Sequence, residues 1–524
     1  MLSLPDAYRG EAPALMTFYA GPARSVFEPS PRSGALPEIT PWDPLLVEDM
    51  RAYQHGLGLE RSFAGNEAVI VTGQQPGLFS GPLYTIYKAM TAIKLAARLE
   101  RTHARPVVPV FWLGSDDHDF EEARSVSVLT RRHQPLRLTY APAQPVDALP
   151  LHRIPAEDSL HGLVDALAEA VPGSEHAPAI TEWLHQSLDG AESFAAWTAR
   201  LLARLFRDTP LVIFEPRLPA ARRIAAPVLA REIASPLAGT TRLREAARQL
   251  EALGFAPQLV KAGHECNFFV EIDGRRRKVV FEKGVFLAPE NQLSWTPAQM
   301  TALLESSPDR FSANVALRCV VQQALFPALA YVAGPGEIAY WAQLKEFFAL
   351  FELPMPVVYP RASAVLVTVK LRKLLEKFRW APSDVTDSGE TLLDSALAAV
   401  AAHPALDALR RGRATVLGAV EALADAFGSL DAPSPARDAA RALHARTAAD
   451  LDRMERLLRR ADQAQTAAVS KQVERLRHAL APDRKPQERV YTLFSFLFEH
   501  GWGLVPRLLN ALDIESSVMT EIEL

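Results

Sequence analysis

The sequence predicts an α/β protein, with a parallel β-sheet core followed by a long helical region. Short β-branched apolar runs at 68–71, 106–113, 211–214 and 327–333 end in turns rich in glycine or charge and lead into helical stretches, as buried parallel strands do. Beyond Arg361 the pattern changes. Leu451, Met454, Leu458 and Ala461 recur at alternating three- and four-residue spacing among Arg, Asp and Glu, which is the seam of a coiled coil or an antiparallel helical hairpin.

At 524 residues the chain exceeds one ordinary domain. Residues 1–65, with Pro37, Pro41 and Pro44 close together, read as an extended arm leading to a short helix. The core spans 66–361, with insertions at about 126–207 and 217–311. A helical coiled-coil arm follows at 362–482, its long helix starting at Ser434-Pro435 and stopping at Pro482, with a partner helix between Leu392 and Phe427. The aromatic-rich segment 483–524 is expected to pack back on the core. A net charge of −4 with 23% charged residues argues against a nucleic-acid surface spread over the whole protein. Neither a leader nor a run of about 20 apolar residues is evident, so a cytoplasmic protein without a membrane partner is expected. Cys266 and Cys319 lie far apart and read as core thiols. His264-Glu265-Cys266 would alternate faces on a strand, so no metal is expected there.

The run at 68–71 leads into Gly73, Gly77 and Gly81 and then a helix from Pro82, with Ser80 or Gly81 as its cap. A helix start at the carboxyl end of a parallel strand offers free N–H groups, so this turn either seats a phosphate or carboxylate or is purely structural. Neither GxGxxG nor GxxxxGK[ST] is present. The second run ends in Gly114-Ser115-Asp116-Asp117-His118-Asp119. Three carboxylates around one histidine can hold a cation, orient an imidazole as a base or bind an amine; one aspartate is expected to cap the helix at 120–124. Residues 126–140 suggest two strands, 155–207 helices, and 220–253 a helix interrupted near Pro236. Asp273-Gly274 marks a hairpin between 267–272 and 278–281, whose Arg275-Arg276-Arg277 reads as a solvated tip or, less simply, a phosphate contact. The run at 327–333 enters Gly334-Pro335-Gly336-Glu337, a second strand–turn–helix unit, with Tyr340 and Trp341 either walling a pocket or packing the helix. Residues 355–361 make a last strand whose prolines suit an edge. The turns after Val71, Leu113 and Val332 are expected to converge on one pocket.

Taken together, VTGQQPGLFSGPLYTIYKA, PVVPVFWLGSDDHDFEEA, YVAGPGEIAYWAQLK and the later PQERV resemble the bacillithiol-biosynthesis cysteine-adding enzymes over nearly the full chain. The resemblance implies a Rossmann-type core with inserted connecting segments, similar to class I aminoacyl-tRNA synthetases and related nucleotidyltransferases, and a coiled-coil domain that forms a homodimer. It implies amide-bond formation between the cysteine carboxyl and the amine of glucosaminyl-malate. A carboxylate is a poor electrophile, so ATP or another activated donor is expected, with Mg2+ accompanying the nucleotide. No HIGH or KMSKS signature accompanies the likeness, and Val469-Ser470-Lys471 falls in the helical arm. On this reading His118 is the base, flanked by Asp116, Asp117 and Asp119. Substrate or nucleotide is bound by Gly73, Gln74, Gln75, Ser80, Gly81, Tyr84 and Lys88 on one side, and by Asn314, Arg318, Gly334, Gly336, Glu337, Tyr340, Trp341 and Arg361 on the other. The alternatives are a nucleotidyltransferase-like enzyme acting on a different small carboxylate, and a non-catalytic metabolite-binding assembly protein. The charge gathered at residues 116–119 weighs against the second.

Overall fold

The computed structural model describes residues 3–28, 40–387, 391–400, 404–428 and 435–524. They divide into two compact units, Met1–Val365 with Gln487–Ile522, and Leu366–Pro486 with Glu523–Leu524. In the first unit the apolar runs become β1 (Ala68–Gln74), β2 (Val107–Leu113), β3 (Val212–Phe214), β4 (Ala328–Ala333) and β5 (Val357–Pro360). They form one parallel sheet in the order 3-2-1-4-5. All of β2, and β1 as far as Gly73, is buried, which is why these strands show no polar alternation. The order reverses between β1 and β4, and at such a switch point the loops leaving the two strands separate and open a crevice. Pro360 closes the edge strand, where its missing N–H costs nothing.

Several elements differ from the sequence expectation. The first strand runs to Gln74, so Gly73 belongs to the strand and not the turn. A Cβ there would lie 2.6 Å from the Trp112 carbonyl oxygen, and only glycine lets β1 approach β2 this closely. The helix α1 (Leu83–His103) starts at Pro82, and neither Ser80 nor Gly81 caps it. Phe79 and Ser80 take left-handed backbone angles, φ 50° and 63°, which bury Ser80 with its hydroxyl unpartnered among the described residues. The Leu83 N–H is taken by the Tyr491 carbonyl at 2.8 Å, so this helix start does not present that donor to an anion.

Nor are the described residues of the amino-terminal segment an extended arm. Its helices Leu4–Arg9 and Pro44–Gly56 pack on the core, where the buried Tyr8 and Tyr19 hydroxyls donate to the carbonyls of Val358 (2.6 Å) and Ile338 (2.7 Å). Pro37 and Ser434 lie outside the described residues.

The first insertion carries the hairpin Ser125–Leu129 and Pro135–Thr139 and then helices. In the second, the interruption expected near Pro236 is present and divides the helical stretch into α2 (Pro219–Ala234) and α3 (Ala238–Ala252), with Leu237 at φ 67°. A five-stranded antiparallel sheet follows, in which Glu265–Ile272 and Arg275–Glu282 turn through Asp273-Gly274, both at positive φ. The helices α4 (Val315–Leu325) and α5 (Pro335–Trp341) flank β4.

The second unit contains α6 (Pro404–Gly428) and α7 (Pro435–Leu480), which pack on each other and are linked by Arg413 to Asp452. Met454 is not in their seam. It is 52% exposed, whereas Leu451 and Leu458 are half-buried; the side chain of Ala461 is outside the described set. No helix among the described residues is long and apolar enough to cross a membrane.

Candidate functional site

A cavity of about 780 Å3 lies at the carboxyl ends of β1, β2 and β4 and is lined by all three turns, through Gly73 to Gln75, Gly114 with Asp116 to His118, and Gly334 to Glu337. The antiparallel sheet of the second insertion adds Phe268, Phe269, Arg276 and Lys278, and the loop before it adds Lys261. Gln74, Tyr84, Lys88, Asn314, Arg318, Tyr340 and Arg361 complete the sequence-expected lining. Ser80, Gly81, Asp119 and Trp341 stand outside it. Asp119 is the cap of the short helix Phe120–Ala123, accepting from the Glu122 N–H at 3.3 Å. Trp341 is fully buried and stacks on Tyr331 at 4.8 Å, so it packs the helix and does not wall the pocket.

Lys88 and Glu337 brace the cavity floor. Lys88 is 1% exposed, and its ammonium donates to the Gly73 carbonyl and lies 2.7 Å from Glu337. Glu337 also accepts from the Tyr331 hydroxyl (2.6 Å) and the Gly334 N–H (2.7 Å). Burial opposes the Glu337 charge, and Lys88 outweighs it, holding the carboxyl below its ordinary range. The ends of β1 and β4 are thus tied by a satisfied ion pair whose polar atoms are already occupied.

The loop after β2 is held just as firmly. The Ser115 hydroxyl donates to Glu215 at the end of β3 (2.5 Å), and burial pushes the Glu215 carboxyl up to about 7, with nearby Asp116 adding to the shift. Asp116 accepts from Arg222 of α2. Burial works to raise its pKa, but the Arg222 charge and hydrogen bond prevail and lower it. Asp117 accepts from Gln75, from the His118 backbone N–H (2.8 Å) and from Arg276 (3.3 Å). It too is held well below the carboxylate range, burial being outweighed by His118, Arg276 and Gln75 beside it. Neither aspartate is a free base or an open metal ligand.

On the opposite wall Asn314 caps α4, accepting from the Ala316 (3.1 Å) and Leu317 (2.9 Å) N–H groups. Arg318, one turn along, lies between aromatic rings, its Cζ 5.6 Å from the Tyr331 centroid and 6.0 Å from that of Trp112. It donates to Tyr340 Oη (3.1 Å) and Gln322 Oε1 (3.3 Å). Arg222, Arg276, Lys88 and Arg361 each face a carboxylate, Arg361 through a buried bidentate pair with Glu488 (3.0 and 2.6 Å). Arg318 makes no ion pair among the described residues. A guanidinium on a cavity wall with neutral partners only keeps its charge uncompensated by a carboxylate.

Arg276, read from sequence as a hairpin tip, is 8% exposed and stacks on Phe269 with Cζ 3.8 Å from the ring centroid. Strand alternation was the available signal, because it sends Arg276 to the face opposite Arg275 and Arg277. Lys261 also went unread. Burial pulls its pKa to about 8 against the pull of Glu265 and Glu232, and its ammonium donates to Cys266 O and Asn267 Oδ1, both at 2.7 Å.

Fold and cavity define the class: a doubly wound, Rossmann-like α/β protein with a ligand crevice at its switch point and a helical domain appended. The chain belongs to the bacillithiol biosynthesis BshC family. Residues 58–362 match its N-terminal Rossmann-like domain and residues 364–524 its C-terminal coiled-coil domain. It is similar to proteins named "Putative cysteine ligase BshC". That of Salinibacter ruber is 33% identical over 86% of this chain and 81% of its own length. The one from Geobacillus kaustophilus is 33% identical over 88% and 87%, and the one from Desulforamulus reducens 29% over 90% and 88%.

Proposed function

We propose that this chain is a ligase that joins the carboxyl of L-cysteine to the amine of glucosaminyl-malate, forming an amide at the expense of ATP. Activation places a phosphoryl or adenylyl group on the cysteine carboxylate and releases ADP or pyrophosphate, and the amine then displaces the group as phosphate or AMP. The observation that carries this reading is Arg318, an unpaired cation on the wall of a cavity at the switch point, as anionic reactants require. The family resemblance supports the choice of cysteine and glucosaminyl-malate. Asp116 and Asp117 face guanidinium groups, so Mg2+ would enter on the nucleotide phosphates and not on these carboxylates. The remaining chemistry is positioning, for which a braced floor and a pinned loop are suited. Mass spectrometry of the purified protein with ATP, cysteine and glucosaminyl-malate tests the reading. Arg318→Met should cut kcat/KM by about 10- to 10²-fold.

A further inference from the structure

His118 stands where a base is expected, but its hydrogen bonds point to another use. Arg276 Nη1 lies 3.1 Å from His118 Nδ1. The guanidinium cannot swing away easily, being stacked on Phe269 and donating also to Ser312 Oγ (2.9 Å) and Ala313 O (2.7 Å). An arginine has donors only, so Nδ1 must offer its lone pair, and the ring proton then resides on Nε2. The competing partner of Nδ1 is Asp117 Oδ1, which is farther away at 3.5 Å and already accepts from the His118 backbone N–H and Arg276. The ring is about one-third exposed, lines the cavity and packs on Phe269 at 5.5 Å between centroids; Nε2 makes no hydrogen bond among the described residues.

We propose that Arg276 is a positioning residue that fixes His118 as the Nε2–H tautomer, so that the ring serves as a hydrogen-bond donor to charge developing on a reactant oxygen. Such a ring is not the base for the amine. For Nε2 to accept a proton, Nδ1 would have to carry one, 3.1 Å from the guanidinium and with only the more distant Asp117 Oδ1, at 3.5 Å, to take it. A neutral imidazole used in this way stabilises an oxyanion without giving up its proton. The proton shed by the amine leaves on the departing phosphate or AMP.

The proposal deepens the ligase reading, but its first test is independent of it. Full-length protein carrying 15N-histidine is examined by long-range 1H–15N correlation, with His118 assigned by its loss in His118→Asn. The expected result is an unprotonated, pyridine-type Nδ1 and a protonated, pyrrole-type Nε2, with the preference lost in Arg276→Met. The reverse pattern in the wild-type protein would overturn the proposal, whether or not the Arg276 variant folds. Kinetics give the second test. The amide nitrogen of glutamine can reach the position of Nε2 as a donor, whereas that of asparagine cannot. His118→Gln should therefore retain turnover within about 10-fold while His118→Asn loses about 10²-fold, with KM little changed in either. Equal loss in both, as expected for removal of a base, would also overturn it.

Discussion

At the scale of single residues, the site is built from side chains whose charges are mostly cancelled in place. Glu215 is the exception that titrates near neutrality, because burial raises it to about 7. A carboxyl whose folded pKa exceeds its unfolded value binds more protons when folded. Its contribution to stability is therefore complete below pH 4.5 and is lost as pH rises through about 7. Between these limits the wild type should lose roughly 3 kcal/mol that Glu215→Gln does not. Urea unfolding of both proteins at pH 5 and pH 8 checks this, and parallel pH dependences would refute it. Glu215 was legible in the sequence only as the end of a strand. Its raised pKa comes from burial and from Asp116, about 100 positions away in the chain, against the downward pull of the Ser115 hydroxyl, and no local pattern reports such a meeting. Arg222 on α2 is hidden for the same reason.

At the scale of elements, the parallel strands could be read because each is covered on both faces and so is apolar without alternation. The convergence of three turns on one cavity followed from strand direction alone. What escaped was the detail of the turn after β1. Glycines there left an anion seat and a purely structural turn both open; Gly73 serves the approach of two strands, and the Leu83 N–H is taken by Tyr491, a residue some 400 positions on. The polar run at 114–119 also mixes two jobs that composition cannot separate. Asp116, Asp117 and His118 enter the cavity wall, whereas Asp119 caps a helix. Asp119→Ala should accordingly cost about 1 kcal/mol of stability and leave kcat unchanged. A fall in kcat of more than about 10-fold at unchanged stability would return Asp119 to the mechanism.

At the scale of the whole molecule, the second unit leaves apolar side chains uncovered. Leu443, Met454 and Leu457 on α7 are 50%, 52% and 56% exposed, and Leu423 on α6 is 52% exposed. Such residues spaced along a helical pair suit burial against a second copy. We expect a homodimer held through this region, as the heptad-like spacing in the sequence suggested. Met454→Glu with Leu457→Glu should convert it to a monomer by light scattering, with the fold retained. A dimer that persists unchanged in the double variant would contradict this assignment.

Condensation of cysteine with an amine through an activated carboxylate, proposed for the cavity at the switch point, is open to oxygen labelling. Protein is incubated with ATP, glucosaminyl-malate and cysteine carrying 18O in its carboxyl group, and the products are weighed by mass spectrometry. The expected products are an amide with the summed mass of the two reactants less one 18O-water, and phosphate or AMP carrying the transferred 18O. Both signals should fall together in Arg318→Met. Amide formed without ATP, or no amide at all from folded wild-type protein, would contradict it.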